Sequence, residues 1–150
     1  MMDNIYMKEA LIEAKKAYST YEVPVGAVIV YKDKIIGRGF NKKESTKNPL
    51  AHAELLAIKE ASENLDRWRL TDCTMYVTLE PCPMCAGAII NSRIDRLVVG
   101  ARDPKMGCCG TVEDLINNNR FNHRTKVMFG ILEEKCSCIL KSFFKKLRAK

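Results

Sequence analysis

The order of hydrophobic patterns predicts an α/β fold, a three-layer α/β/α sandwich with a central mixed five-stranded sheet. Three observations predict it. Helical and strand-like segments alternate along the chain, the strand-like runs are rich in β-branched residues, and no repeat, linker or low-complexity tract interrupts the 150 residues. With 47% hydrophobic and 29% charged residues, a chain of this length can bury a sizeable core, so a single domain over residues 1–150 is expected.

After Asp3, read as an N-cap, the apolar positions Met7, Ala10, Leu11, Ala14, Ala17 and Tyr18 recur at helical spacing and predict a first amphipathic helix, which Glu22-Val23-Pro24-Val25-Gly26 ends. Ala27–Tyr31 and Ile35–Phe40 read as strands joined by the polar turn Lys32-Asp33-Lys34, a hairpin signal. A helix is expected over Ala51–Ser62, with Pro49 just ahead of it, and a buried strand over Thr74–Leu79 delivers the chain to Pro81. A further helix should begin near Cys82. Arg96–Gly100 is the next strand, Val112–Asn117 a short helical piece, Lys126–Phe129 the last strand, and Glu133 to about Arg148 a basic amphipathic helix.

Composition narrows the function classes. The start, Met1-Met2-Asp3-Asn4, is polar and acidic, nothing resembles a signal peptide, and no apolar run approaches the roughly 18 residues of a spanning helix. No membrane association is expected, and the cytoplasm is the expected location. Seven cysteines, an odd number, in a chain without an export signal read as reduced thiols rather than a disulfide framework. The net charge of +7, from 25 Lys and Arg against 18 Asp and Glu, suits an anionic partner as well as ordinary surface solvation.

The chemistry is concentrated in His52-Ala53-Glu54 and, thirty residues on, Pro81-Cys82-Pro83-Met84-Cys85. His52, Cys82 and Cys85 supply three zinc ligands, which leaves a fourth position for water, and Glu54 is a carboxylate the metal does not need. A Cys-x-x-Cys at a helix N-terminus puts both sulfurs on the first turn, where free N–H groups favour thiolates. His52 and Glu54, two apart, would diverge in mid-helix, but in a first turn both reach a pocket beyond the helix end. Two thiolates and an imidazole make zinc a weaker Lewis acid than three imidazoles would, so a nearby base is needed, and Glu54 is the candidate. Cys-x-x-Cys alone would equally fit a structural zinc knuckle completed by another cysteine, or a redox pair; the complete His-x-Glu and Pro-Cys-x-x-Cys set favours one catalytic zinc per chain.

With these motifs the chain resembles the cytidine/deoxycytidylate deaminase superfamily and, much more closely, the tRNA-specific adenosine deaminases of the TadA type. The resemblance runs through Glu22–Ala27, Asn41, Ala51–Glu54, Trp68-Arg69-Leu70, Tyr76–Ala88, Gly100–Gly107, Asn122-His123-Arg124 and Phe143-Phe144. It implies a cytidine-deaminase-like fold, a homodimer, and conversion of adenosine to inosine at the first (wobble) anticodon position of a tRNA anticodon stem-loop, with release of ammonia. It carries the ligand roles onto His52, Cys82 and Cys85 and the proton shuttle onto Glu54. Asn41 would hydrogen-bond the flipped base, with Val25 and Ala53 lining its pocket. Arg102, Asp103 and Lys105 would lie along the RNA, Asp103 accepting from a ribose hydroxyl. Phe144 would join them from a C-terminal helix whose Lys141, Lys145, Lys146, Arg148 and Lys150 suit a phosphate backbone, although paired aromatics there also read as core anchors. Cys108-Cys109 replaces the small residues expected in this family and reads as packing.

Two other readings share part of this pattern. A deaminase of a free base or nucleoside, such as guanine or cytidine, would keep the zinc set without needing the RNA-facing loop or the basic helix. A noncatalytic zinc-stabilised RNA-binding module would bind tRNA without releasing ammonia, and the intact Glu54 weighs against it.

Overall fold

The computed structural model describes residues 2–149, so Lys150, counted among the basic helix residues, lies outside the described residues. The first helix, α1 (Met2–Ser19), buries Tyr6, Met7, Ala10, Leu11, Ala14 and Ala17 along one stripe. Asp3 is not its N-cap. The helix already includes Met2, and the Asp3 carboxylate instead accepts from both terminal nitrogens of Arg96 (2.9 and 2.6 Å) and from the Tyr76 hydroxyl (2.7 Å), pinning the helix start to the sheet. These contacts, the Arg96 hydrogen bonds foremost, hold its carboxyl down at about 2.

The hairpin of β1 (Gly26–Tyr31) and β2 (Lys34–Phe40) turns on Lys32 and Asp33 alone, whose φ values of 49° and 64° match a turn that follows the right-handed strand twist. The short α2 (Lys43–Thr46) has no helical periodicity to betray it in the sequence. It is followed by α3 (Ala53–Leu65), β3 (Cys73–Leu79), α4 (Pro83–Asn91), β4 (Arg96–Ala101), β5 (Lys126–Phe129) and α5 (Glu133–Arg148). The sheet order is β2-β1-β3-β4-β5, with β1 antiparallel to both neighbours and β3, β4 and β5 mutually parallel.

Residues 112–117 do not form the expected helix. Their amides are spent on the loop before them: Val112 donates to the Gly107 carbonyl and Leu115 to that of Cys108, and Cys109 bridges to Asp114. That backbone cannot also make bonds four residues back.

Alternation along the strands divides the core into two layers. Ala27, Ile29, Met75, Val77, Leu97 and Val99 meet α3 and α4, while Val28, Val30, Tyr76 and Val98 meet α1 and α5. This is the expected three-layer arrangement. Cys108 and Cys109 sit in the first of these clusters as packing side chains. Where α3 crosses β2, only glycine fits: a Cβ on Gly39 would lie 2.2 Å from the Ala53 carbonyl oxygen, and one on Gly37 2.3 Å from that of Ala57. The near-absence of side chain lets helix and strand backbones approach and fixes the start of α3 over the sheet edge. Among the described residues no helix is long and apolar enough to cross a membrane.

Candidate metal centre and active site

Two helix N-termini and one end of the sheet converge on a single cleft. β3 runs out at Leu79, next to the start of antiparallel β1, and Glu80-Pro81 turns the chain so that Cys82 becomes the N-cap of α4 with Pro83 at its first position. His52 is the N-cap of α3, in extended conformation with φ −86° and ψ 150°. Neither cap residue spends its side chain on capping, so both can turn to the cleft. The helix Ala53–Leu65 begins two residues later than its sequence pattern indicates, and that difference is what places His52 outside the helix and Glu54 in its first turn.

The His52 Nδ1 atom lies 3.7 Å from Cys82 Sγ and 3.5 Å from Cys85 Sγ, and the three donor atoms fall within 4.8 Å of one another. A tetrahedral zinc site with ordinary Zn–S and Zn–N bonds has an S···N edge of about 3.6 Å, so the donor set fits that ion in both chemistry and spacing. Its electrostatics agree. The hydrogen bond from the Cys85 thiol is the main reason Cys82 is pulled down to about 4, and the same bond pushes Cys85 upward. His52 is raised chiefly by its hydrogen bond to Cys82, against the opposing effect of burial. Glu54 is almost completely enclosed, and burial lifts its carboxyl to about 7.

The cleft above these groups holds about 310 Å³ and is lined by Val23, Val25, Asn41, Lys43, His52, Ala53, Glu54, Leu79, Glu80, Cys82, Asp103 and Met106. A larger depression of about 450 Å³ between α1, β2 and α3 contains no metal-ligand set, and its Lys16, Arg38 and Glu13 are already engaged with one another. Chemistry rather than volume therefore marks the site.

Most residues singled out in the sequence meet here. Val25, Asn41, Ala53 and Asp103 stand around the donor set. Asn41 is held by its own side chain, whose Nδ2 donates to the Val23 carbonyl (3.3 Å) and whose Oδ1 accepts from the Lys43 amide (3.2 Å). Asp103 Oδ1 accepts from the amides of Lys105 (3.0 Å) and Met106 (3.2 Å). Three residues stand away from the cleft lining. The Arg102 guanidinium lies over the Phe129 ring at 3.8 Å, Lys105 is exposed on the loop, and Phe144 is half-exposed on α5 with its ring edge-on to Phe143. Phe143 is the buried anchor of that pair, against Tyr18.

Two residues for which the sequence suggested no role hold the cleft walls. Glu22 accepts from the amides of Glu44 (2.9 Å) and Ser45 (2.6 Å), and Glu80 accepts from the loop after Ala101. The only signal available was an acidic residue inside an otherwise apolar or turn-forming stretch.

A mixed sheet covered on both faces, with one imidazole, two thiols and a buried carboxylate gathered at two helix N-termini, defines a hydrolytic deaminase. The comparisons agree. The profile of the MafB19-like deaminases matches residues 1–148. The tRNA-specific adenosine deaminase of Bacillus subtilis (strain 168) is 53% identical over 148 residues, 99% of this chain and 92% of that protein. The tRNA-specific adenosine deaminase of Streptococcus pyogenes serotype M18 is 42% identical, covering 95% of this chain and 90% of its own. A chain solved in a study of A-to-I editing by tRNA:A34 deaminases at the wobble position of transfer RNA matches with a TM-score of 0.87 and 40% identity, over 90% of this chain and 98% of that one. A guanine deaminase from Nitrosomonas europaea shares the fold, with a TM-score of 0.77 at 24% identity, over 93% of this chain and 83% of that one. The chain belongs to the MafB19-like deaminase family, and its close relatives there are tRNA-specific adenosine deaminases.

Proposed function

We propose that this chain is a zinc-dependent hydrolase that converts adenosine to inosine at the wobble position of a tRNA anticodon loop, releasing ammonia. The observation that carries the reading is Glu54: an enclosed carboxylate, lifted to about 7 by burial, beside a three-donor metal site in a chain 53% identical along its length to a tRNA-specific adenosine deaminase. His52, Cys82 and Cys85 would hold the zinc, one ion per chain. When bound, the ion acts as a Lewis acid that lowers the pKa of water.

The remaining steps belong to the chain's own residues. Glu54, poised near neutrality, takes a proton from the attacking water and passes it to the purine ring nitrogen, then takes the proton of the newly added hydroxyl and delivers it to the departing amine. Water adds at the amidine carbon, the C–N bond breaks, and ammonia and inosine leave, so atoms and charge balance. Asn41, fixed by its bonds to Val23 and Lys43, presents a rigid polar contact to the base, with Val25 and Ala53 as apolar walls. Asp103 accepts from a ribose hydroxyl, and Arg102, Lys105, Phe144 and the basic outer face of α5 meet the RNA beyond the cleft. The working form is a cytoplasmic homodimer.

The test incubates purified protein separately with an anticodon stem-loop, adenosine, cytidine and guanine and identifies products by mass spectrometry, alongside metal analysis. Inosine in the stem-loop, with about one zinc per chain that is lost in Cys82→Ala, is expected. Efficient turnover of guanine or cytidine with an untouched stem-loop would replace this reading by a free-base deaminase.

A further inference from the structure

Glu80 is a buried carboxylate that the chemistry above does not use. It is 2% exposed, and it sits between the last residue of β3 and the Pro81-Cys82 turn that presents a metal ligand. Its partners are all on one loop. Oε1 accepts from the Asp103 amide (3.1 Å) and from the Thr111 hydroxyl, and Oε2 from the amides of Cys109 (3.0 Å) and Thr111 (3.1 Å). Three amides and a hydroxyl, rather than a cation, balance the charge, and with two donors on each oxygen the carboxylate has little capacity left to work on a substrate.

The loop is built around this group. The Glu80 amide donates to the Ala101 carbonyl (2.9 Å) and the Cys108 amide to that of Pro81 (3.0 Å), so strand exit and loop are stitched together above and below the carboxylate. Gly107 is the residue that lets it in: a Cβ there would lie 2.5 Å from both Cδ and Oε1 of Glu80. The same loop carries Asp103 and Met106, which form one wall of the cleft.

We propose that Glu80 is a positioning residue that fixes the Asp103–Thr111 loop to the metal-ligand turn, so that the wall of the cleft which meets the RNA is set before the substrate arrives. The inference rests on the functional reading above, because it assigns the loop to substrate binding. A preorganised loop costs less to order on binding. Glutamine is a poor replacement: it offers one acceptor oxygen, and its NH₂ faces either the Asp103 amide or the amides of Cys109 and Thr111, so at least one backbone N–H loses its acceptor whichever way it is turned.

The test compares the wild type with Glu80→Gln, Gly107→Ala and Thr111→Val. Loop order is read by amide hydrogen exchange at Asp103, Cys109 and Thr111, which does not depend on activity, and function by KM and kcat on an anticodon stem-loop. Faster exchange at these amides, with KM raised about tenfold and kcat changed far less, is expected for Glu80→Gln and Gly107→Ala. Thr111→Val, which removes one of four bonds, should show a smaller change in the same direction. Should Glu80→Gln not fold, the other two variants still decide. Unchanged exchange would overturn the restraint. Faster exchange with an unchanged KM, or a loss confined to kcat, would overturn its link to binding. A wild type that makes no inosine would fail the functional reading instead and leave the exchange comparison standing.

Discussion

The floor and the walls of the cleft are held by different forces. The floor is His52, Glu54, Cys82 and Cys85, and packing sets it: α3 rests on Gly37 and Gly39 so closely that backbone meets backbone, and α4 starts on a proline after a buried strand. The walls are loops and a four-residue helix, and hydrogen bonds set them, through Glu22 on the Asn41–Ser45 side and Glu80 on the Asp103–Thr111 side. Close packing is bistable and unforgiving, whereas a hydrogen-bonded loop can loosen by degrees. Damage to the floor should therefore abolish the chemistry, and damage to a wall should change which substrate is held and how tightly.

The largest effect expected is at the carboxylate proposed to carry protons, Glu54. Glu54→Gln should lower kcat on a stem-loop about a thousandfold, or about 4 kcal/mol, while metal content and stem-loop affinity stay near wild type. Inosine formed at an undiminished rate would remove Glu54 from the reaction. Gly39→Val comes next. Its Cβ has no room beside the Ala53 carbonyl, so about 3 kcal/mol of stability should go, together with metal affinity, because the shifted turn is the one carrying His52. Denaturant melts with and without zinc would read both losses; a normal melt would mean α3 can slide without cost and the contrast between floor and walls is overdrawn.

Wall variants should be milder. Burial raises the Glu22 carboxyl, but the Glu44 and Ser45 amides more than offset this and leave it below its ordinary value. Glu22→Gln, which cannot accept from both amides, should cost about 1–2 kcal/mol and raise KM with metal binding intact. A matching loss of zinc would show that this wall supports the floor as well. Smallest is Asp3, remote from the cleft. Its folded value of about 2 lies below the ordinary 3.8, so the stability it adds is complete above about pH 4 and is lost as pH falls toward 2. Partial exposure limits this to roughly 1 kcal/mol. Asp3→Asn should flatten the stability curve in that window and leave it unaltered in shape near neutrality; an unchanged acid limb would deny the Arg96 pair any weight.

How much of this was legible in the sequence follows the same division. The five strands, the long helices and the metal set were readable because periodicity and short-range spacing are local. His52, Glu54, Cys82 and Cys85 each lie within a residue or two of a helix start, and helix starts leave marks in sequence. The Val112–Asn117 segment misled because its apolar and polar residues permit a helix, while its amides are taken by Gly107 and Cys108. Asp3 misled similarly: an acid near a helix start resembles a cap until a distant arginine claims it. Glu22 and Glu80 carried only a weak local mark, an acid within an otherwise apolar or turn-forming stretch, since a carboxylate that caps another segment's amides shows its role only once its neighbours are known.

The sequence by itself therefore determined the alternation of elements, the donor set and the carboxylate beside it, since periodicity marks each element and the His-x-Glu and Cys-x-x-Cys motifs are each short. Only the tertiary structure decided the geometry with which the two helix starts, expected from their motifs to share one zinc, meet at the cleft. It also decided that Arg102 stacks on Phe129 while Asp103 faces inward, and that two buried acids hold the walls. Those outcomes depend on which backbone donors find which acceptors once the chain has closed on itself, and burial makes that pairing obligatory.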